Sequence, residues 1–290
     1  MNAILLDGAM GTELQRQGLR TLLPLWSAHA LIKAPDLVRQ IHREYVEAGA
    51  QVLTANTFRT APYTLAKAEM QNQAEELSRR AVQLAREASS SAPSNHKVRV
   101  AGSLAPLEDC YRPDLAPPND ILKREHRQQA RHLANAGVDI ILIETQNSIR
   151  EACIAAEAAL GEGHPVWVSL IPKDAQTLFS GEPLREAVRA VANLQPEAIL
   201  INCCPPAVAR EALEVIREIW DGPTGAYPNF GLPQDETDSH FSDSLSPAKF
   251  AEWGAEILDA GVQIIGGCCG TRPAHIAELS KIMRKTPLNI

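Results

Sequence analysis

Apolar runs of strand length alternate along the chain with longer stretches whose apolar residues recur at helical spacing. The short runs are Ala3–Leu6, Gln51–Ala55, Val98–Gly102, Val138–Ile143, Val166–Ile171, Ala198–Ile201, Thr224–Tyr227 and Gln263–Ile265. Most are apolar without alternation, the pattern of strands buried on both faces of a parallel sheet. The intervening patterns predict helices. Pro35 suits a first helical position, with Leu37, Val38, Ile41, Tyr45 and Val46 on one face and Gly49 past the end. Further helices are expected over Gln71–Ala88, Ile121–Ala136, Arg150–Leu160, Leu184–Leu194, Ala207–Trp220, Pro247–Ala260 and Pro273–Arg284. Ser246 before Pro247 is a good N-cap, and Gly261 closes that helix.

Strand and helix thus alternate through eight units with no break point. This predicts an α/β fold, a single closed (β/α)8 TIM barrel forming one domain over residues 1–290. The length fits, since such barrels typically need about 250 residues. The alternative is an open doubly wound sheet, which usually carries a glycine-rich phosphate loop after its first strand. Asp7-Gly8-Ala9-Met10-Gly11-Thr12 lacks that spacing. The segments after strands are long and polar (Gly8 to Ala34, Ser103 to Asn119, Asn229 to Leu245) and belong to the barrel face where active sites are built. Ala88–Lys97 follows a helix, lies on the opposite face and reads as a connector without chemistry.

Charge narrows the partners. Lys and Arg total 28 against 35 Asp and Glu, a formal −7 with both signs interspersed. That disfavours nucleic acid or an anionic membrane and tolerates a cationic small molecule. The apolar N-terminal run is too short for a signal-peptide core, and no stretch approaches the roughly 20 apolar residues of a membrane span. A cytoplasmic protein is expected. There the six cysteines (110, 153, 203, 204, 268 and 269) suit free thiols or metal ligands better than disulfides.

The chemistry concentrates where apolar runs end. Gly266-Gly267-Cys268-Cys269-Gly270-Thr271 follows the last one. Neighbouring side chains on a strand face opposite ways, so two adjacent thiols share a target only if the backbone turns. The flanking glycines are expected to allow that turn by reaching positive φ. Asp7-Gly8, Glu144-Thr145 and Asn202-Cys203-Cys204-Pro205 end other strands. On a barrel these converge on one rim. Three thiolates from two strand ends would make a three-cysteine site with an open fourth position, as in catalytic zinc centres. A pair of small buried hydrophobes or a redox-active pair is the competing reading. Cys203 lies nearer the strand end than Cys204, so Cys203 is expected as ligand and Cys204 as packing, with Cys110 and Cys153 structural. Asp7 and Glu144 suit either helix and turn caps or a substrate site. No histidine has ligand spacing, and His240 and the acidic residues Asp235, Glu236, Asp238 and Asp243 read as a solvated loop. Trp26 fits either a cation–π wall or the core.

These motifs resemble the homocysteine S-methyltransferases. The resemblance rests on Asp7 to Glu13, Thr54-Ala55-Asn56-Thr57-Phe58, Ala101-Gly102-Ser103, Ile143-Glu144-Thr145, Asn202-Cys203 and Gly266 to Gly270, in the family's order. It implies a (β/α)8 barrel, Zn2+ held by Cys203, Cys268 and Cys269, and homocysteine as methyl acceptor. It also implies that Asp7 and Glu144 bind the substrate ammonium, with Gly8 and Thr57 near its carboxylate. A free thiol is a poor nucleophile at neutral pH, and zinc deprotonates it. Three cysteine thiolates and the substrate thiolate around Zn2+ would sum to −2, which favours a cationic methyl donor.

The family's betaine-using branch places aromatics just after the second strand and carries a C-terminal dimerisation extension. This chain has Arg59, Thr60 and Ala61 there and ends at Ile290. Corrinoid-dependent relatives attach folate and cobalamin domains. The expected donor is therefore a sulfonium, S-methylmethionine or S-adenosylmethionine. Betaine or a separate methyl-corrinoid protein is the alternative within the class, and a non-catalytic zinc or thiol redox sensor is the alternative outside it.

Overall fold

The computed structural model describes residues 3–90, 92, 97–230 and 245–285. The eight expected strands all form: β1 Ile4–Leu5, β2 Val52–Ala55, β3 Arg99–Leu104, β4 Ile140–Gln146, β5 Val166–Leu170, β6 Ala198–Asn202, β7 Thr224–Tyr227 and β8 Ile264–Ile265. All pairings are parallel and follow chain order, with β8 returning to β1. Leu6 bridges Val52, and the Asp7 amide donates to the Val52 carbonyl at 3.0 Å, so β1 and β2 close the barrel.

Two apolar shells explain the unalternated runs. Leu6, Val52, Ala101, Ile140, Leu142, Trp167, Ala198, Leu200, Tyr227 and Ile264 fill the barrel interior. Residues of opposite parity, such as Ile141, Ile143, Val168, Ile199 and Ile201, pack outward against the helices. Both faces are buried, so polar residues are confined to the first or the last few positions of the strands.

The helices between strands lie close to their expected spans, for example Pro35–Ala48, Asn119–Asn135 and Pro273–Lys285. Gly49 adopts φ 103° as the left-handed cap of the first of these. The expected Gln71–Ala88 helix instead begins with a 3-10 turn, Gln71–Gln73, before the α-helix Ala74–Ser89. The long segment after β1 is partly helical, with short pieces at Gly11–Arg16, Trp26–His29 and Ala30–Lys33. Pro62–Ala66 is a further short helix after β2. Pieces of one turn or two are too short to show a hydrophobic period. No helix among the described residues is long and apolar enough to cross a membrane. The acidic residues 235–243 and His240 lie outside the described residues.

Candidate active site

One layer above the apolar barrel interior, the inward parity turns polar. Thr54, Ser103, Glu144, Ser169, Asn202 and Tyr227 continue the inward positions of their strands, and all but Thr54, which holds Asp7, bond within the layer. Ser103 Oγ donates to Glu144 Oε1, and Tyr227 OH to Glu144 Oε2 at 3.4 Å. Ser169 Oγ donates to Asn202 Oδ1 at 2.7 Å. This layer floors a cleft of about 850 Å³ at the C-terminal face.

Cys203, Cys268 and Cys269 come together there, their Sγ atoms all within 4.8 Å of one another. Cys203 Sγ and Cys268 Sγ are 3.0 Å apart. Cys203 has φ 56°, the left-handed region that a β-carbon disfavours. That twist turns its thiol out of strand β6 while its carbonyl accepts from Asn229 Nδ2 at 3.2 Å. Cys204 faces the other way, into the packing between sheet and helices. The S–H groups of Cys268 and Cys269 point at Cys203 and draw its thiol well below its ordinary range. In return Cys268 and Cys269 are held above theirs. Three cysteine sulfurs this close together make a soft donor set that could hold a metal ion.

The turn carrying Cys268 and Cys269 is fixed from several sides. Gly267 N donates to the Asp7 carbonyl at 3.1 Å, Cys268 N to Pro228 at 2.8 Å, and Gly270 N to Thr12 Oγ1 at 3.0 Å. Thr271 Oγ1 donates to the Cys268 carbonyl at 2.7 Å and accepts from Ala9 N at 3.1 Å. Only Gly270 of the three flanking glycines has positive φ, at 84°. The expectation for Gly266 and Gly267 is corrected: they are glycine for want of space. A β-carbon at Gly266 would lie 2.5 Å from Leu6 Cβ, and one at Gly267 2.6 Å from Thr271 Cβ. Gly8 is similar, its missing β-carbon falling 2.8 Å from the Tyr45 hydroxyl.

Asp7, Gly8 and Glu144 line the same cleft. Burial pushes the Asp7 carboxyl up to about 8, against the pull of the Thr54 amide, which donates to Oδ2 at 2.8 Å; the Glu144 charge raises it further. Burial likewise raises Glu144 to about 7, opposed by the Ser103 hydrogen bond. Two buried carboxyls with raised pKa values on one cleft are a perturbed pair of the kind that marks functional sites. Thr57 does not line the cleft; its hydroxyl donates to the Ser103 carbonyl at 2.8 Å, behind the floor.

Aromatic residues wall the opening. Trp26 meets Phe58 edge-on at 5.8 Å, and Tyr111 meets Phe179 edge-on at 5.2 Å, all four lining the cleft. The Tyr111 hydroxyl lies 3.7 Å from Cys203 Sγ. Trp26, for which a cation–π wall and core packing were both open, lines the cleft. The rings come from segments after β1, β2, β3 and β5, which no short sequence window brings together.

A closed barrel with three convergent thiols beside two buried carboxylates defines a thiol-handling enzyme of the (β/α)8 class. A homocysteine S-methyltransferase family model matches residues 4–283. The homocysteine S-methyltransferase of Escherichia coli K12 is 33% identical, covering 95% of this chain and 94% of the relative. Homocysteine S-methyltransferase 2 of Zea mays is also 33% identical, covering 98% and 91%. The crystal structure of the Escherichia coli homocysteine methyltransferase MmuM in its metallated form superimposes with a TM-score of 0.84 at 31% identity, covering 97% of this chain and 96% of that one. The chain belongs to the homocysteine S-methyltransferase family and is an enzyme of that activity.

Proposed function

We propose that the enzyme moves a methyl group from a sulfonium donor, S-methylmethionine or S-adenosylmethionine, to the sulfur of homocysteine, forming methionine. The observation that carries this reading is the meeting of Cys203, Cys268 and Cys269 Sγ within 4.8 Å on a cleft that also holds Asp7 and Glu144. An all-thiolate donor set is soft, selects zinc over magnesium or calcium, and leaves a fourth tetrahedral position for a substrate sulfur. Zinc bound there would supply the Lewis acidity that keeps the homocysteine thiol ionised at neutral pH.

The chain's own residues do the rest. Asp7 and Glu144 hold the substrate ammonium and are restored to their charged forms by it. Gly8 lines the cleft and offers its backbone to the substrate carboxylate, and Thr57 acts at one remove by fixing Ser103. Trp26, Phe58, Tyr111 and Phe179 offer ring faces to an onium methyl donor and shield it from water. The donor then loses its methyl carbon by in-line displacement: a carbon–sulfur bond forms at homocysteine as the donor's breaks. The donor leaves as a neutral thioether. No general base is needed at that step, and the rings' main contribution is alignment. A reducing, cytoplasmic setting suits the six free cysteines.

Metal analysis is the direct test. Purified protein is expected to carry about one zinc per chain, lost in Cys203→Ser and Cys268→Ser and kept in Cys204→Ser. Retention of zinc in the first two sinks the site assignment. Turnover of homocysteine with S-methylmethionine, S-adenosylmethionine, betaine and a methyl-corrinoid protein in parallel then separates the donors. Methionine from none of them would favour the sensor reading.

A further inference from the structure

Arg59 is a buried guanidinium on the cleft wall with little to bind. Only 6% of the residue is exposed, and it lines the cleft. Nη1 donates to the Glu108 carbonyl at 3.0 Å, while Nε is buried without an acceptor. The guanidinium stacks over Phe58, 5.2 Å from the ring centroid. Burial lowers its pKa, so the site makes this cation costly, and the acids nearest to it are engaged elsewhere. Glu108 takes Lys67 and the Tyr63 hydroxyl, Asp109 caps the Tyr111 amide, and Glu151 takes the Leu107 amide and His126. Stacked on Phe58, which itself meets Trp26 edge-on, the cation belongs to the aromatic wall of the cleft.

We propose that Arg59 receives the carboxylate of the methyl donor, so that the enzyme selects onium donors bearing a carboxylate. This rests on the onium-donor reading above. A buried arginine presents a planar fork that pairs two N–H groups with two carboxylate oxygens, and such charge-assisted pairs are the strong ones. Phe58 serves both ends of that donor: its ring holds the guanidinium and, with Trp26, walls the onium's path.

The test compares two donors on each enzyme: S-methylmethionine and its carboxamide, which keeps the sulfonium and loses the carboxylate charge. The wild type is expected to prefer S-methylmethionine in kcat/KM by about ten- to a hundredfold, the range of a charged hydrogen bond. Arg59→Met is expected to abolish most of that preference through donor KM, leaving homocysteine KM unchanged. Arg59→Lys, which keeps the charge without the fork, is expected to restore part of it. The ratio is independent of how much variant folds. Calorimetric binding of S-methylmethionine to the zinc-loaded protein is expected to weaken by the same factor in Arg59→Met. Equal loss for both donors in Arg59→Met overturns this assignment and leaves the sulfonium reading standing. No turnover or binding with any sulfonium overturns both.

Discussion

Asn202 and Thr145 hold each other across the barrel floor, 57 residues apart in the chain. Asn202 Oδ1 accepts from the Thr145 amide at 3.0 Å, and Nδ2 donates to Thr145 Oγ1 at 3.0 Å. Thr145 has φ 62° and Cys203, the residue after Asn202, φ 56°. Two strained backbones, one following Glu144 and one carrying a thiol, are therefore clasped by one amide. A residue held left-handed costs of order 1–3 kcal/mol and persists only where its surroundings impose it.

Asn202→Ala removes that clasp and strands the Thr145 amide and Ser169 hydroxyl in a buried layer. A loss of about 3 kcal/mol is expected, with zinc affinity falling tenfold or more as Cys203 relaxes. Ser169→Ala, which deletes one hydrogen bond and leaves the clasp, is expected to cost about 1 kcal/mol. Thermal melts and zinc competition with a chelator check both. Equal effects of the two variants would remove the clasp's special role.

Space at Gly267 governs the metal turn. Gly267→Ala drives a β-carbon into Thr271, whose hydroxyl ties the Cys268 carbonyl to Ala9. Overpacking of this kind costs about 1–3 kcal/mol, and the protein is expected to lose zinc and activity together. Gly161→Ala is the control: its β-carbon meets nothing nearer than 3.4 Å, and φ is −64°. That variant is expected within about 0.5 kcal/mol of wild type. Zinc content and melting temperature measured side by side decide it.

Much of this is legible in the sequence because one periodicity carries it. Strands buried on both faces announce themselves as unbroken apolar runs, and the polar residues that end them mark the rim. That is why Asp7, Glu144, Cys203, Cys268 and Cys269 can be placed on one face from the sequence alone. The cleft walls are not legible for the opposite reason. Tyr111, Phe179 and Arg59 sit on irregular segments and Trp26 opens a single short turn, and their conformation follows from tertiary contacts, among them Asn147 Nδ2 holding the Cys110 carbonyl at 3.0 Å. Nor does a sequence distinguish a glycine needed for φ from one needed for room, which is why the expectation for Gly266 and Gly267 fails.

The aromatic walls make a kinetic prediction. Phe179→Leu keeps much of the bulk and removes the ring that meets Tyr111 at 5.2 Å. Loss of a partly desolvated cation–π contact is worth about 1 kcal/mol. Donor KM is expected to rise about fivefold, with homocysteine KM unchanged. A two-substrate steady-state analysis separates the two constants. A rise confined to homocysteine KM would place the ring on the acceptor side.

Finally, the paired carboxyls tie stability to pH. Burial holds Asp7 near 8 and Glu144 near 7 in the folded chain, against ordinary values of 3.8 and 4.5. A carboxyl whose folded pKa is raised binds its proton more tightly when folded. Its contribution is therefore fully present below the unfolded pKa and is lost as pH rises through the folded one. Zinc-free protein kept reduced is expected to lose a few kcal/mol of stability between pH 5 and 7.5, since each unit of pKa difference is about 1.4 kcal/mol. Asp7→Asn keeps an acceptor for the Thr54 amide and removes the charge, so its melting temperature is expected to fall less over that range. Saturating homocysteine supplies the ammonium that these groups lack and is expected to flatten the wild-type slope. Parallel slopes for wild type and Asp7→Asn, with or without homocysteine, would mean that Asp7 is solvated and carries no substrate ammonium.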